Sequence, residues 1–268
     1  MNDPSATPAP AGPLTGLRFA FGTLTVLPVR LTRWDRAAAR AGMLCAPFAG
    51  LVVGIAAAAA GGLFRLAGAG ALPAAVATVA VPAVLTRGLH LDGLADTADG
   101  LGSAKPATAA LEIMKRSDIG PFGVITLLFV LLAQVASVAT LYERGWGYGA
   151  GGAVLAAVTA RLVLTAASRA GVPAARPEGL GAAVAGAVPV RLALAAVVLT
   201  VALCAGAGAV HGADTAARYG LAALAAIAAA ELLLRHCRRR FGGVTGDVFG
   251  ALAETAATTA LVALTLGR

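Results

Sequence analysis

The sequence predicts an all-α fold: a polytopic, integral-membrane helical bundle of about seven transmembrane helices with a cytoplasmic N-terminus. Three observations predict it. Of 268 residues, 59% are hydrophobic and 13% charged, against roughly 45–50% and about 25% in soluble domains. Mean hydropathy is +0.83. That excludes disorder, which needs low hydrophobicity, and a soluble globule, whose surface needs far more polar side chains. Seven apolar stretches approach the ~20 residues of a spanning helix, and the basic residues gather in alternate connections between them. Ala and Gly dominate, with 34 Gly and only 5% aromatic residues, as suits helices that approach closely in lipid.

The expected spans are 42–64, 71–86, 120–141, 148–168, 192–210, 219–234 and 248–266. The second and sixth are short and borrow flanking residues. Residues 1–13, rich in Pro and Ala, read as a disordered tail ahead of a single membrane-embedded catalytic domain, 14–268. Residues 14–29 are apolar but interrupted by Arg18, Gly22 and Pro28, which predicts an interfacial or re-entrant segment rather than an eighth span.

Sixteen of the 21 Lys and Arg fall in the N-terminal region and the connections 87–119, 169–191 and 235–247. Arg65, Arg144, Arg218 and Arg268 fall on the opposite side, and Arg161 lies within a span. This asymmetry is the positive-inside signal. It places the N-terminus and the three long connections in the cytoplasm, and it accounts for a net charge of +8 with no nucleic-acid partner. Cys45, Cys204 and Cys237 are too dispersed for a disulfide framework or a zinc site. With no secretory signal and an Ala, Gly and Arg-rich composition, the expected location is a bacterial cytoplasmic (inner) membrane, multi-pass, with the active site facing the cytoplasm.

The chemistry concentrates in one connection. Five of the 13 acidic residues lie between 89 and 118, and the segment 89–100 reads LHLDGLADTADG. If helical, it projects Asp92, Asp96 and Asp99 within a stripe roughly 60° wide. Like charges this close repel by on the order of 1 kcal/mol in water, and more near a protein surface. A divalent cation reverses that sign, and carboxylates, water and substrate phosphates are ligands that suit Mg²⁺ or Mn²⁺. His90 projects to the opposite side, as a hydrogen-bonded wall residue of the substrate site. Lys115 and Arg116 follow on the same connection, Arg176 lies on the same side, and all three are candidates to neutralise substrate phosphate. The stretch Gly242-Gly243-Val244-Thr245-Gly246-Asp247 reads equally as a phosphate-cradling turn and as a turn capped by Asp247. Arg161, Glu231 and Glu254 are the ionisable groups expected at bilayer depth, facing the bundle interior.

On these motifs the chain resembles the cobalamin synthase family of adenosylcobinamide-GDP ribazoletransferases, also called cobalamin-5′-phosphate synthases. LHLDGLADTADG, RPEGLG at 176–181 and GGVTGD at 242–247 carry the resemblance, supported by LTVLPV at 24–29 and by Arg161. It implies a Mg²⁺-dependent membrane enzyme that joins adenosylcobinamide-GDP to α-ribazole, or to its 5′-phosphate, and releases GMP. For that reaction Asp92, Asp96 and Asp99 are the expected catalytic and metal-binding residues and Asp247 a further metal ligand. Arg116, Arg176, Lys115, Thr245 and His90 are the expected substrate contacts beside Asp247. One departure is local: the family's Met-Lys/Arg-Asp-Ser pattern is here Met114-Lys115-Arg116-Ser117-Asp118, which ranks Asp118 below the triplet. The bilayer offers a place for a homo-oligomer, or for association with other cobalamin-pathway enzymes. Two other readings compete. The DGxADxxD core also resembles CDP-alcohol phosphotransferases, and the buried ionisable groups suggest a transporter, although no repeat halves are visible.

Overall fold

The computed structural model describes residues 11–267. Among them are eleven helices and no strand beyond two isolated bridges. They are α1 Pro13–Leu24, α2 Arg36–Leu66, α3 Ala71–Leu85, α4 Leu89–Gly102, α5 Ala107–Ile113, α6 Pro121–Arg144, α7 Trp146–Ala167, α8 Gly179–Val184, α9 Val190–Ala209, α10 Ala213–Phe241 and α11 Gly246–Thr265. Helices α2, α6, α7, α9, α10 and α11 are each long and apolar enough to cross a membrane, and α3 with α4 makes a seventh when the bent pair is taken as one span. The all-α membrane bundle expected from composition is therefore the fold.

Helix α7 lies at the centre, with 83% of its apolar window buried against 22% for α9 and 28% for α6. The outer helices present their large apolar side chains outward: Phe129 on α6 is 70% exposed and Val198 on α9 is 69% exposed. In water such faces would be a liability; in lipid they are the expected surface. The α2–α7 contact is closed by small residues. A Cβ on Gly50 would lie 2.4 Å from the Ala157 carbonyl oxygen, and one on Gly54 2.8 Å from Val154 Cα. The Gly50-xxx-Gly54 spacing thus lets two backbones touch, which is how helices associate where no hydrophobic drive exists between them.

Helix α2 begins at Asp35, whose Oδ1 accepts from the Ala37 and Ala38 amides at 2.9 and 3.0 Å. Arg36 and Arg40 then donate to the Ala185 and Ala187 carbonyls, tying the α2 entry to the 169–190 connection. Residues 1–10 lie outside the described residues, and Pro13, expected in the tail, already opens α1. At 12 residues α1 is too short to cross, in keeping with the non-spanning expectation for 14–29.

The structure departs from the expected spans in two places. The 235–247 run, expected as a loop, is helical to Phe241 and stops at Gly242, which adopts φ 82°. Hydropathy marks where apolar character ends, not where the helix ends. Arg238, Arg239 and Arg240 instead occupy the last turn, where cations favour the helix dipole. The 87–119 connection is likewise mostly helix. Arg87 and Gly88 take φ 53° and 69°, both left-handed, and turn the chain 86° between α3 and α4. Helix α4 therefore leaves the direction of α3 and packs against α11 and α6.

Candidate active site

The acidic segment is helical, as its Asp spacing requires, and what it packs against defines the site. Gly93, between Asp92 and Leu94, faces the first turn of α11: a Cβ there would meet the Asp247 carbonyl oxygen at 2.6 Å and its Cα at 2.9 Å. From the other side, a Cβ on Gly250 would meet the His90 carbonyl oxygen at 2.9 Å. Two glycines, one on each helix, thus bring α4 against α11. That crossing delivers Asp247 to the acidic stripe.

The stripe itself divides. Asp92 is exposed and Asp96 half-buried, while Asp99 is buried. Asp99 Oδ2 accepts from the Gly120 amide at 2.7 Å and Oδ1 from the Gly123 amide at 2.9 Å. Gly120 supplies no side-chain cap to α6, so Asp99 caps that helix from a distance. A carboxylate at a helix N-terminus answers both the unpaired amides and the dipole. Asp96 remains in the field of Asp92, Asp247 and Asp99, with Arg176 as the opposing charge.

Asp247 is held by two other segments. Thr245 is the N-cap of α11: its hydroxyl accepts from the Val248 amide and donates to Asp247 Oδ2, each at 3.2 Å. The cap is therefore Thr245, not Asp247 as the turn reading suggested, because its side chain reaches the amide three residues on. Arg176 Nη1 lies 3.5 Å from Asp247 Oδ2, and Nη2 donates to the Leu111 carbonyl. The stretch carrying Arg176 is fixed by backbone pairing: Val244 N donates to Pro173 O, and Ala175 N to Val244 O, both at 2.9 Å. Gly243 permits this approach, since a Cβ would meet the Pro173 carbonyl oxygen at 2.5 Å. Gly246 faces open space.

The structure therefore brings Asp92, Asp96, Asp247, Thr245 and Arg176 together. It leaves others apart. His90 is 3% exposed, its Nε2 has no hydrogen-bond partner among the described residues, and it lies in the field of Arg161 rather than with the carboxylates. His90 is thus a buried wall residue, as expected, but its Nε2 makes no hydrogen bond among the described residues. Lys115 pairs with Glu112 at 3.2 Å and lines, with Arg176, a cleft outside the carboxylate cluster, and Arg116 is exposed. Glu231, expected at bilayer depth, is instead half-buried between Arg169 and Arg235, each 2.9 Å away. Its partners belong to the basic end of the bundle. Arg161 and Glu254 do face the interior, around a cavity of about 50 Å³ that Gln134 and Thr78 also line. The structural roles of Gly93, Gly243 and Gly250 had no signal in sequence beyond glycine itself.

The carboxylate oxygens gathered here are of the type a hard divalent cation takes. Among the described residues no three acidic, imidazole or thiol side chains form a complete metal group. Magnesium does not need one, being held by one or two carboxylates together with substrate phosphates. Beside the carboxylates, Arg176 Nε is buried with no hydrogen-bond partner among the described residues, a donor suited to an anionic oxygen.

The chain is similar to known proteins over nearly its whole length. A family model described as cobalamin-5-phosphate synthase matches residues 16–265. Proteins named adenosylcobinamide-GDP ribazoletransferase are similar over most of their length. That of Frankia casuarinae is 44% identical over 259 residues, covering 91% of this chain and 92% of its own. That of a Nocardioides species is 39% identical, covering 92% and 96%. That of Pseudomonas aeruginosa is 35% identical, covering 94% and 98%. No solved structure matches. With a match spanning nearly the whole chain and the acidic helix, Arg176 and Asp247 all inside it, the chain belongs to the cobalamin-5-phosphate synthase family.

Proposed function

We propose that this membrane enzyme joins adenosylcobinamide-GDP to α-ribazole, or to its 5′-phosphate, and releases GMP. The observation that carries the reading is the meeting of Asp92 and Asp96 with Asp247 and Arg176, from three separate segments, at the α4–α11 crossing. In the proposed reaction a ribazole hydroxyl attacks the phosphorus nearer the corrinoid arm. One P–O bond forms, the anhydride P–O bond breaks, and GMP leaves while the hydroxyl proton is lost. Such a transfer asks the protein mainly for positioning and charge neutralisation.

Asp92 and Asp96 would hold Mg²⁺, or Mn²⁺, against the diphosphate, with Asp247 as the neighbouring carboxylate, and the ion would neutralise charge developing on the phosphate oxygens. Arg176, its Nε unpaired and its Nη1 beside Asp247, binds a phosphate oxygen. Thr245 fixes Asp247 through its hydroxyl. Asp99, with both oxygens engaged, holds α4 to α6 and so sets the pitch of the stripe. The basic asymmetry of the connections supports a cytoplasm-facing site in an inner membrane.

The test is to incubate detergent-purified protein with both precursors, with Mg²⁺ and with EDTA. Completed cobamide and free GMP, formed only with the metal, are expected. Release of CMP from a CDP-alcohol with no corrinoid product, or substrate flux into proteoliposomes without chemistry, would overturn the reading.

A further inference from the structure

Outside the carboxylate cluster, on the far side of Arg176, lies a cleft of about 450 Å³ between α5 and the segment 175–178. That volume is within the range that holds small molecules. Arg176 is the shared wall: Nη1 faces Asp247 and Nη2 is anchored to Leu111 of α5. A group bound to the diphosphate at the carboxylates therefore has this cleft as its neighbour. Leu111, Ala175 and Pro177 supply apolar lining, while Glu112 and Glu178 supply carboxylates. The two acids differ. Glu112 is engaged by Lys115 at 3.2 Å. Glu178 is exposed, makes no cap hydrogen bond to α8 and has no ion pair among the described residues. It is a free carboxylate at the lip of a cleft whose inner wall is a phosphate-binding arginine.

We infer that this cleft is a nucleotide subsite that selects guanine, with Glu178 reading the base. The inference rests on the proposed reaction, in which a guanosine monophosphate unit departs. The reason is hydrogen-bond chemistry. The Watson–Crick edge of guanine carries two adjacent donors, N1–H and the exocyclic amine, which one carboxylate accepts together. Adenine presents an acceptor at N1, which sets lone pair against carboxylate and leaves a charged group unpaired. Hypoxanthine keeps N1–H but lacks the amine. The purine faces rest on Leu111, Ala175 and Pro177, and the phosphate meets Arg176.

Binding of GMP, IMP and AMP to the detergent-purified full chain, at fixed Mg²⁺, tests this without turnover. The wild type is expected to bind GMP at least tenfold tighter than AMP, with IMP between them. Glu178→Gln is expected to weaken GMP and, because the amide can donate to adenine N1, to strengthen AMP, bringing the two within about twofold. A variant that had merely lost its fold would lose all three. Equal binding of GMP and AMP by the wild type, or a preference that survives Glu178→Gln, overturns the inference. The two readings fail separately. Corrinoid product without base discrimination sinks the subsite and keeps the reaction; Glu178-dependent GMP binding without product does the reverse.

Discussion

Replacing Gly93 by Ala tests whether the α4–α11 approach, rather than the acids alone, makes the site. The added Cβ would sit 2.6 Å from the Asp247 carbonyl oxygen and 2.9 Å from its Cα. Both atoms are backbone, so no rotamer change relieves the clash. Restoring an ordinary separation of ~3.5 Å moves the helices apart by close to ~1 Å. Overpacking of this kind costs about 1–3 kcal/mol, and a displacement of about 1 Å at a reacting centre costs about 100-fold in rate. Gly100→Ala is the control on the same helix. Its Cβ would meet Met114 Cγ and Sδ at 2.7 Å, the flexible end of a side chain that adapts readily. Product formation by the membrane-embedded variants, with thermal unfolding in detergent, reads both effects. A Gly93→Ala enzyme with unchanged kcat, or a Gly100→Ala enzyme equally damaged, would refute the argument.

Other outcomes follow from the same geometry. Asp92→Asn and Asp96→Asn are each expected to lower turnover by ~100-fold or more, since each removes charge that the bound ion requires; quantitative blotting should show wild-type amounts in the membrane. Asp99→Asn lowers turnover too, with about 1–3 kcal/mol of lost stability in detergent melts, because an amide cannot accept at both positions and one buried α6 amide loses its partner. Arg161→Met removes the cation whose field Glu254 shares across the cavity, leaving the carboxylate to its 2.8 Å hydrogen bond from Gln134, and is expected to cost less than the ~3–5 kcal/mol of a broken buried ion pair; a double variant with Glu254→Gln should recover part of it, as measured by a double-mutant cycle. The hydrogen bond from Arg33 and the α2 amides hold the Asp35 carboxyl below its ordinary value of 3.8. Its stabilising effect is therefore present above that value and lost as pH falls through the lowered one, so Asp35→Ala should flatten the acid limb of a stability profile.

Much of this protein is legible from composition and spacing. Membrane residence follows from hydropathy, because a chain with 13% charged residues has too few to cover a soluble surface. The acidic stripe follows from the four- and three-residue steps between Asp92, Asp96 and Asp99, which only a helix turns into one face. The basic run at 238–240 shows where sequence reading stops short: hydropathy locates the apolar core, whereas helix α10 ends at the residue able to adopt a left-handed conformation, Gly242.

What only the tertiary structure decided is which of these groups meet. Asp99 shares the stripe of Asp92 and Asp96, yet its oxygens are taken by α6 amides that arrive from more than twenty residues away. His90 lies within the motif but is buried in the field of Arg161 and makes no contact with the carboxylates among the hydrogen bonds of the described residues. Asp247 is 151 residues beyond Asp96 and joins it because Gly93 and Gly250 let two backbones touch. Spacing along a chain fixes which side chains share a helix face. Partners across helices are fixed by packing, where a missing Cβ on one helix matters only because of what lies against it on another.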